Sequence, residues 1–232
     1  MAKSNFDSAK AYAPQEVGTA FFDDGREIEL LHYVYSHPNL ESIRGSSEKL
    51  PETIDEYGRT KKYLMNVGED KGRIVCDRIQ EVRPKTMVCF TEVIVGPGDA
   101  SIARLYSESR LNRTYLMFLD HYKPAYVPDL KLAEKLRLVS PGSVLAVDNV
   151  IKPGNPPYLD YVRKTTKDKR AQLGKVGKSD GMPDQTLQLY KRTYGKMRFN
   201  QSPGNPNLVY ESKLVDSFEP TGILLVKPIM CM

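Results

Sequence analysis

Apolar residues in the first third of the chain recur at helical spacing, and later ones gather into short continuous runs. Ile28, Leu31 and Val34 lie three apart, with Asp23 or Asp24 as the candidate cap and a stop before Pro38, which predicts a first helix. Residues 51–64 predict a second helix, ending at Met65-Asn66-Val67-Gly68, and residues 70–82 a third. Arg83-Pro84-Lys85 breaks that helix, and residues 86–90 (TMVCF) have the β-branched, apolar content of a buried strand. Two further runs follow, residues 115–120 (YLMFLD) and 144–148 (VLAVD), each ending in an acid. Between them Leu132, Ala133, Leu136 and Val139 keep helical spacing, with Lys131, Glu134, Lys135 and Arg137 on the other face. Pro141-Gly142 turns the chain into the second run. Residues 208–210 and 223–226 are expected to be closing strands.

A strand, helix and strand within about 30 residues is a βαβ unit, so the two acid-terminated strands should run parallel. Asp120 and Asp148 then leave the sheet at the same edge, where open α/β sheets bind ligands. Alone, an aspartate at a strand end serves as a turn former or helix cap. Two at matching ends, the second followed by Asn149, would bring three oxygen ligands to one crevice. That set suits a hard octahedral cation such as Mg2+.

Composition narrows the class. At 232 residues with 40% hydrophobic content, the chain is long enough for one ordinary domain with a full core. Residues 1–20 are expected to form a mobile or loosely docked arm, and 21–232 a single α/β domain. Residues 164–206 are polar, basic and rich in Gly, Pro and Ser, and are expected to form a surface insertion. The net charge of +5 concentrates there and does not by itself indicate a nucleic-acid partner. Cys76, Cys89 and Cys231 share no metal spacing, and their odd number argues against a disulfide framework, so a reducing, cytoplasmic setting is expected. The amino-terminal stretch carries acids without an apolar core, which does not fit a secretory signal, and no run approaches the length of a membrane span.

The motifs LLHYVYSHPNLESIRGS, KYLMNVGEDKG, EVRPKTMV, LMFLDHYKPAYVPDLKL, GSVLAVDNVIKPGNPPYLDYVR and NPNLVYESKLV occur in this order, and the chain resembles catechol O-methyltransferases, with inserts of a fungal style. The resemblance covers most of residues 25–163 and resumes near Asn205. It implies an α/β fold with a Rossmann-like sheet and helices on both faces, S-adenosylmethionine as methyl donor, one Mg2+, and a small-molecule catechol as substrate of a monomer. Asp120, Asp148 and Asn149 match the family's Mg2+ ligands, and Lys123 matches its general base. A lysine is ordinarily a solvated surface group. Beside a divalent cation an ammonium is disfavoured, which is what a base acting near neutral pH requires. Glu211 stands where the family holds the second catechol hydroxyl. Met65, Asn66 and Val67 match a loop against the donor, while His121 and Tyr122 match positions touching its adenine. Gly98 and Asp99 fall where the family has a hydroxyl and a polar side chain near that ring.

The chain departs from the pattern after Val88. The family's strand beginning RPKTMV continues into a Gly-rich, acidic loop and a later strand whose acid holds the ribose, whereas here TMV runs through CFTEVIV to GPGDAS. Roughly 50 residues are lacking, about one βαβ unit, so the sheet is expected to be truncated. Gly96-Pro97-Gly98 is too short a glycine motif to replace that loop. The hydrophobic end ILLVKPIMCM also departs from the family. Three functions are therefore carried forward: a Mg2+-dependent O-methyltransferase, a remnant that keeps the metal and acceptor half without the donor loop, and nucleic-acid binding through the basic insertion.

Overall fold

The computed structural model describes residues 7–13, 24–84, 94–173, 200–218 and 224–231, with the isolated residue 188. The chain groups into two compact units: Met1–Ile74 with Ser217–Leu225, and Val75–Asp216 with Val226–Met232. The expected strand at 86–90 lies outside the described residues, as do Asp23 and most of the basic insertion.

In the first unit, α1 (Arg26–Tyr35) matches the expected first helix, α3 (Lys49–Thr60) overlaps the expected 51–64 and ends four residues short of it, the short α2 (Leu40–Ile43) was not expected, and α4 (Gly68–Val82) begins here. The N-cap of α1 is Gly25, without a side-chain cap bond, and the candidate cap Asp24 stands one residue earlier: its carboxylate accepts the Arg26 N–H at 3.2 Å and the guanidinium at 2.7 and 2.9 Å. Arg26 in turn donates to the Tyr63 carbonyl at 2.6 Å, so a buried arginine ties the first helix to the chain that follows the third. The core here is aromatic: Tyr12, Tyr57 and Tyr63 pack with Leu64 and the flanks of Leu30, Tyr33 and Ile54.

Within the arm expected to be mobile or loosely docked, residues 7–13 pack through Tyr12. Its ring is buried, its hydroxyl donates to the Asp55 carboxylate, and the Ala13 N–H donates to the Gly58 carbonyl at 3.0 Å. Lys10 adds an exposed pair with Glu69. The segment contributes an aromatic side chain to the small core between α1, α3 and the chain after α3.

In the second unit, β1 (Leu116–Leu119) and β2 (Val144–Val147) pair in parallel, with Leu116 opposite Val144 and Leu119 opposite Val147. Upstream, α5 (Gly98–Ser107) precedes β1, and the crossover helix α6 (Tyr126–Lys135) connects the strands. The expected crossover helix is thus present, but it starts earlier and buries a different face. Pro128 is accommodated in the first turn, where its missing N–H has no intrahelical partner to lose. Tyr126, Leu130 and Ala133 face the core with Leu119, Leu145 and Val147. Full burial of each large apolar side chain contributes about 1.5–3 kcal/mol.

The helix ends before Val139. Arg137 takes a left-handed conformation (φ 59°), and the N–H groups of Arg137 and Leu138 return to the carbonyls of Glu134 and Ala133, a Schellman closure that buries Leu138 and Val139. A tight turn at Pro141-Gly142 (Gly142 φ 88°), closed by Ser143 N–H to the Ser140 carbonyl at 2.9 Å, leads into β2. After β2 come a single π turn (Val150–Gly154), α7 (Pro156–Arg163) and α8 (Thr166–Ala171).

Glu134 was expected on the solvent face and is instead 1% exposed. An unpaired buried carboxylate would be costly, but this one accepts three hydrogen bonds: from the Tyr161 hydroxyl (2.5 Å), the Tyr210 hydroxyl, and the Asn205 N–H (2.7 Å). Burial and the neighbouring carboxylate hold both tyrosine hydroxyls well above their ordinary pKa, so they remain donors. The described ends of the expected surface insertion are accordingly docked. Lys169 is buried and donates to the Leu208 carbonyl at 3.0 Å, and Ser202 donates to the Lys131 carbonyl at 3.0 Å. Residues 208–210 form no strand: Leu208 is buried, and the strand comes later as β3 (Lys213–Phe218), which makes a two-stranded sheet with β4 (Leu224–Cys231). The latter overlaps the expected strand at 223–226.

Two glycines inside helices should respond oppositely to alanine. Nothing lies within 4 Å of a Cβ placed on Gly72 in α4, so Gly72→Ala is expected to stabilise by about 0.4–1 kcal/mol, roughly 1–4 °C in Tm. A Cβ on Gly58 in α3 would lie 2.5 Å from the Tyr12 ring. Gly58→Ala should therefore lower Tm despite the better helix propensity of alanine, with overpacking costing about 1–3 kcal/mol. Paired thermal denaturation checks both signs, and an equal rise in the two variants would show that Tyr12 is not packed on Gly58.

Candidate metal and acceptor site

The register of the parallel pair brings the two acids together. Leu119 lies opposite Val147, and the Asp148 N–H extends the ladder by donating to the Leu119 carbonyl at 2.9 Å, so Asp120 and Asp148 leave the same edge. Asp148 is 1% exposed, and its Oδ1 accepts the Asn149 N–H at 2.7 Å. Asn149 adopts a left-handed conformation (φ 59°), which asparagine tolerates better than most residues and which turns the chain sharply after the strand.

Lys123 stands on a short 3-10 turn (Lys123–Ala125) just after β1. It is 7% exposed, unlike an ordinary surface lysine. Its Nζ lies 3.6 Å from Asp120 Oδ1 and donates to the Tyr126 hydroxyl at 3.3 Å, while that hydroxyl donates to the Asp148 carbonyl at 3.4 Å. Asn155 fixes the backbone of this turn from α7: its Nδ2 donates to the Lys123 carbonyl at 2.9 Å, and its Oδ1 caps the helix by accepting the Tyr158 N–H at 3.3 Å. Asp120, Lys123, Tyr126 and Asp148 thus form one connected polar group over the carboxyl ends of both strands.

His121 extends this group toward α5. Its Nε2 lies 3.0 Å from the buried Asp129 Oδ2, and its ring lies against Tyr126 with centroids 4.9 Å apart. Asp99 sits in the first turn of α5, where its two carboxylate oxygens accept the N–H groups of Ala100 (2.8 Å) and Asn200 (3.2 Å). Tyr122 is half-buried beside Lys123 in the chain.

Of the remaining expected site residues, Glu211 stands at the other end of β2. Glu211 is exposed and lines a cavity with Pro141, Ser143 and Val144, at the start of β2, whereas Asp148 stands at its end. The chain after Leu208 runs past the amino-terminal end of the strand, so Glu211 does not enter the crevice. Met65, Asn66 and Val67 belong to the first unit. Met65 is 56% exposed, and the Asn66 Nδ2 donates to the Tyr12 hydroxyl (2.9 Å) and Asp55 (3.0 Å).

The donor set of Asp120, Asp148 and Asn149, two carboxylates and one carboxamide, fits a hard cation that keeps water or substrate oxygens on its other positions. Among the described residues no three His, Cys, Asp or Glu side chains gather as a group that could hold a metal ion. Reading the sequence missed Tyr126, Asp129 and Asn155. Asn155 carried a signal, since an asparagine directly before Pro156 is the signature of a helix cap followed by proline in the first turn. Tyr126 and Asp129 carried none, because their roles depend on residues brought close by folding.

No family model matches the chain. It is distantly homologous to catechol O-methyltransferases, at 27% identity to both the bovine protein (60% of this chain, 66% of the relative) and the mouse protein (66% and 73%). A probable O-methyltransferase of Mycobacterium tuberculosis is 26% identical, over 63% of this chain and 82% of its own length. The chain therefore spans about two thirds to four fifths of these relatives. The three alignments run over 184, 198 and 196 positions yet take in only 60, 66 and 63% of 232 residues, so about 45–50 aligned positions have no counterpart here. Among the described residues no helix is long and apolar enough to cross a membrane.

Proposed function

We propose that this chain is built as an S-adenosylmethionine-dependent, Mg2+-dependent O-methyltransferase acting on a hydroxyl of a catechol, on a truncated Rossmann-like sheet. The observation that carries the reading is the matched emergence of Asp120 and Asp148 from one sheet edge, with the buried amine of Lys123 3.6 Å from Asp120. Distant homology to catechol O-methyltransferases supports the same chemistry.

Asp120, Asp148 and Asn149 would hold the cation, which supplies Lewis acidity to the acceptor oxygens. Lys123 accepts the acceptor's hydroxyl proton at Nζ. Tyr126 holds that amine over the crevice, and Asn155 holds its backbone. His121 and Tyr122 would lie beside the donor's purine, and the donor supplies an electrophilic methyl group. Transfer forms the oxygen–methyl bond as the sulfur–methyl bond breaks, so the protein mainly aligns the two atoms and removes one proton. Glu211 is left out of the acceptor site, since it stands at the other end of β2. Met65, Asn66, Val67 and Asp99 remain donor-side candidates by resemblance.

A second reading has its own support. About 45–50 aligned positions lack counterparts, and the sequence departs after Val88, where the family's donor loop would begin. In that reading the chain is a remnant that keeps the metal and acceptor residues without turnover. Nothing among the described residues favours nucleic-acid binding.

Two measurements separate the readings. Calorimetric titration of the full chain with Mg2+ should show binding that Asp148→Ala weakens by at least 10-fold, and equal affinity in the variant would remove Asp148 from the site. Methyl transfer from labelled S-adenosylmethionine to a catechol should be measurable in the wild type. Lys123→Ala and Lys123→Arg should each cost about 100-fold or more in kcat, with Mg2+ affinity retained, because arginine keeps the charge but cannot accept the proton. Mg2+ binding with no turnover in the wild type selects the remnant. Wild-type turnover in both variants would make Lys123 a structural lysine.

A further inference from the structure

We infer that Asp129 is a positioning residue for His121, and that Gly98 is glycine because the Asp129 carboxylate occupies the space a side chain would need. Asp129 is only 2% exposed, and its Oδ2 meets His121 Nε2 at 3.0 Å. An ionised carboxylate only accepts hydrogen bonds, so it requires the proton on Nε2, and in the neutral ring Nδ1 is then left as the acceptor. Tyr126 covers one face of the imidazole, with centroids 4.9 Å apart and planes 30° from parallel, while the side chain keeps 37% of its surface exposed. Tautomer and orientation are therefore both set, with a hydrogen-bond acceptor and a ring surface left for a ligand.

The carboxylate is held from the opposite side. A Cβ on Gly98 would collide with Asp129 Oδ2 and lie 3.3 Å from its Cγ. Gly98 is the first residue of the ten-residue helix α5, whose amino-terminal partial charge favours an anion at this point and helps offset burial of the carboxylate. Asn200 straps the two elements together: its backbone N–H donates to Asp99 at 3.2 Å in the first turn of α5, and its side chain donates to the Pro128 carbonyl at 3.0 Å, next to Asp129. The order of control runs from the α5 terminus through Asp129 to His121. The functional consequence rests on the proposed donor site, where an imidazole with an outward acceptor suits the amino group of a purine.

The test is spectroscopic and does not require turnover. Long-range proton–nitrogen NMR of the labelled full chain at about pH 8, where an ordinary histidine is neutral, should show His121 as a single Nε2–H tautomer. Asp129→Asn, whose amide can donate or accept, should give averaged nitrogen shifts, and Gly98→Ala should do the same by displacing the carboxylate. An averaged or Nδ1–H ring in the wild type, or unchanged shifts in Asp129→Asn, would overturn the inference. Affinity for S-adenosylhomocysteine should fall about 10-fold in Asp129→Asn with Mg2+ affinity unchanged. Expected shifts without S-adenosylhomocysteine binding in the wild type would support the positioning role and overturn the donor reading alone.

Discussion

The candidate site depends on the in-register parallel pairing of two four-residue strands. Because Leu119 and Val147 are partners, Asp120 and Asp148 follow as neighbours, and a slip of one position would turn every side chain of one strand to the other face. The pairing is enforced from outside the strands. The core face of α6 packs on Leu119, Leu145 and Val147, and the Schellman closure after Lys135 returns the chain to the amino-terminal end of β2. Burial of the strands on this helix therefore also sets the spacing of the acids.

Around this pair, polar groups are buried only where several partners converge on them. Tyr126 is fully buried, yet its hydroxyl meets both the Lys123 amine and the Asp148 carbonyl, and its ring supports His121. Glu134, one helical turn beyond Leu130, is buried among two tyrosine hydroxyls and a backbone amide. One face of α6 thus has two polar hubs, the first serving the crevice and the second pinning Asn205 and Tyr210. Replacing one partner in either hub would remove a hydrogen bond from a buried group, where such bonds are costly to lose.

The first unit solves a smaller packing problem with aromatic residues. Its core joins tyrosines in edge-to-face contacts, Tyr33 on Tyr57 and Tyr12 on Tyr63, and most of these hydroxyls find a carboxylate: Asp55 for Tyr12, Glu56 for Tyr33 and Glu29 for Tyr57. Asn66, a donor-side candidate by resemblance, also serves this core through Tyr12 and Asp55. Any role in ligand binding would therefore be coupled to the docking of residues 7–13.

The helices near 28–34, 51–64 and 70–82, the presence of a crossover helix, the two parallel strands and the placement of Asp120 and Asp148 at one edge were legible in the sequence by itself, because they follow from local periodicity and from the length of the crossover, whereas α2, α5, α7 and α8 were not. The candidacy of Lys123 came from a motif, and its burial was not readable from residue type. What only the tertiary structure decided concerns groups whose partners are remote in sequence: Glu134 meets Tyr210 76 residues away, and Tyr12 meets Asn66 54 residues away. Periodicity assigned Glu134 to solvent because a lone carboxylate belongs there, and folding reversed that by supplying three donors. Glu211 follows the same logic in the opposite direction. Its neighbours in sequence matched a motif, but the path of residues 200–210, pinned by Glu134 and Lys169, delivers it to the start of β2 instead of the end where Asp148 stands.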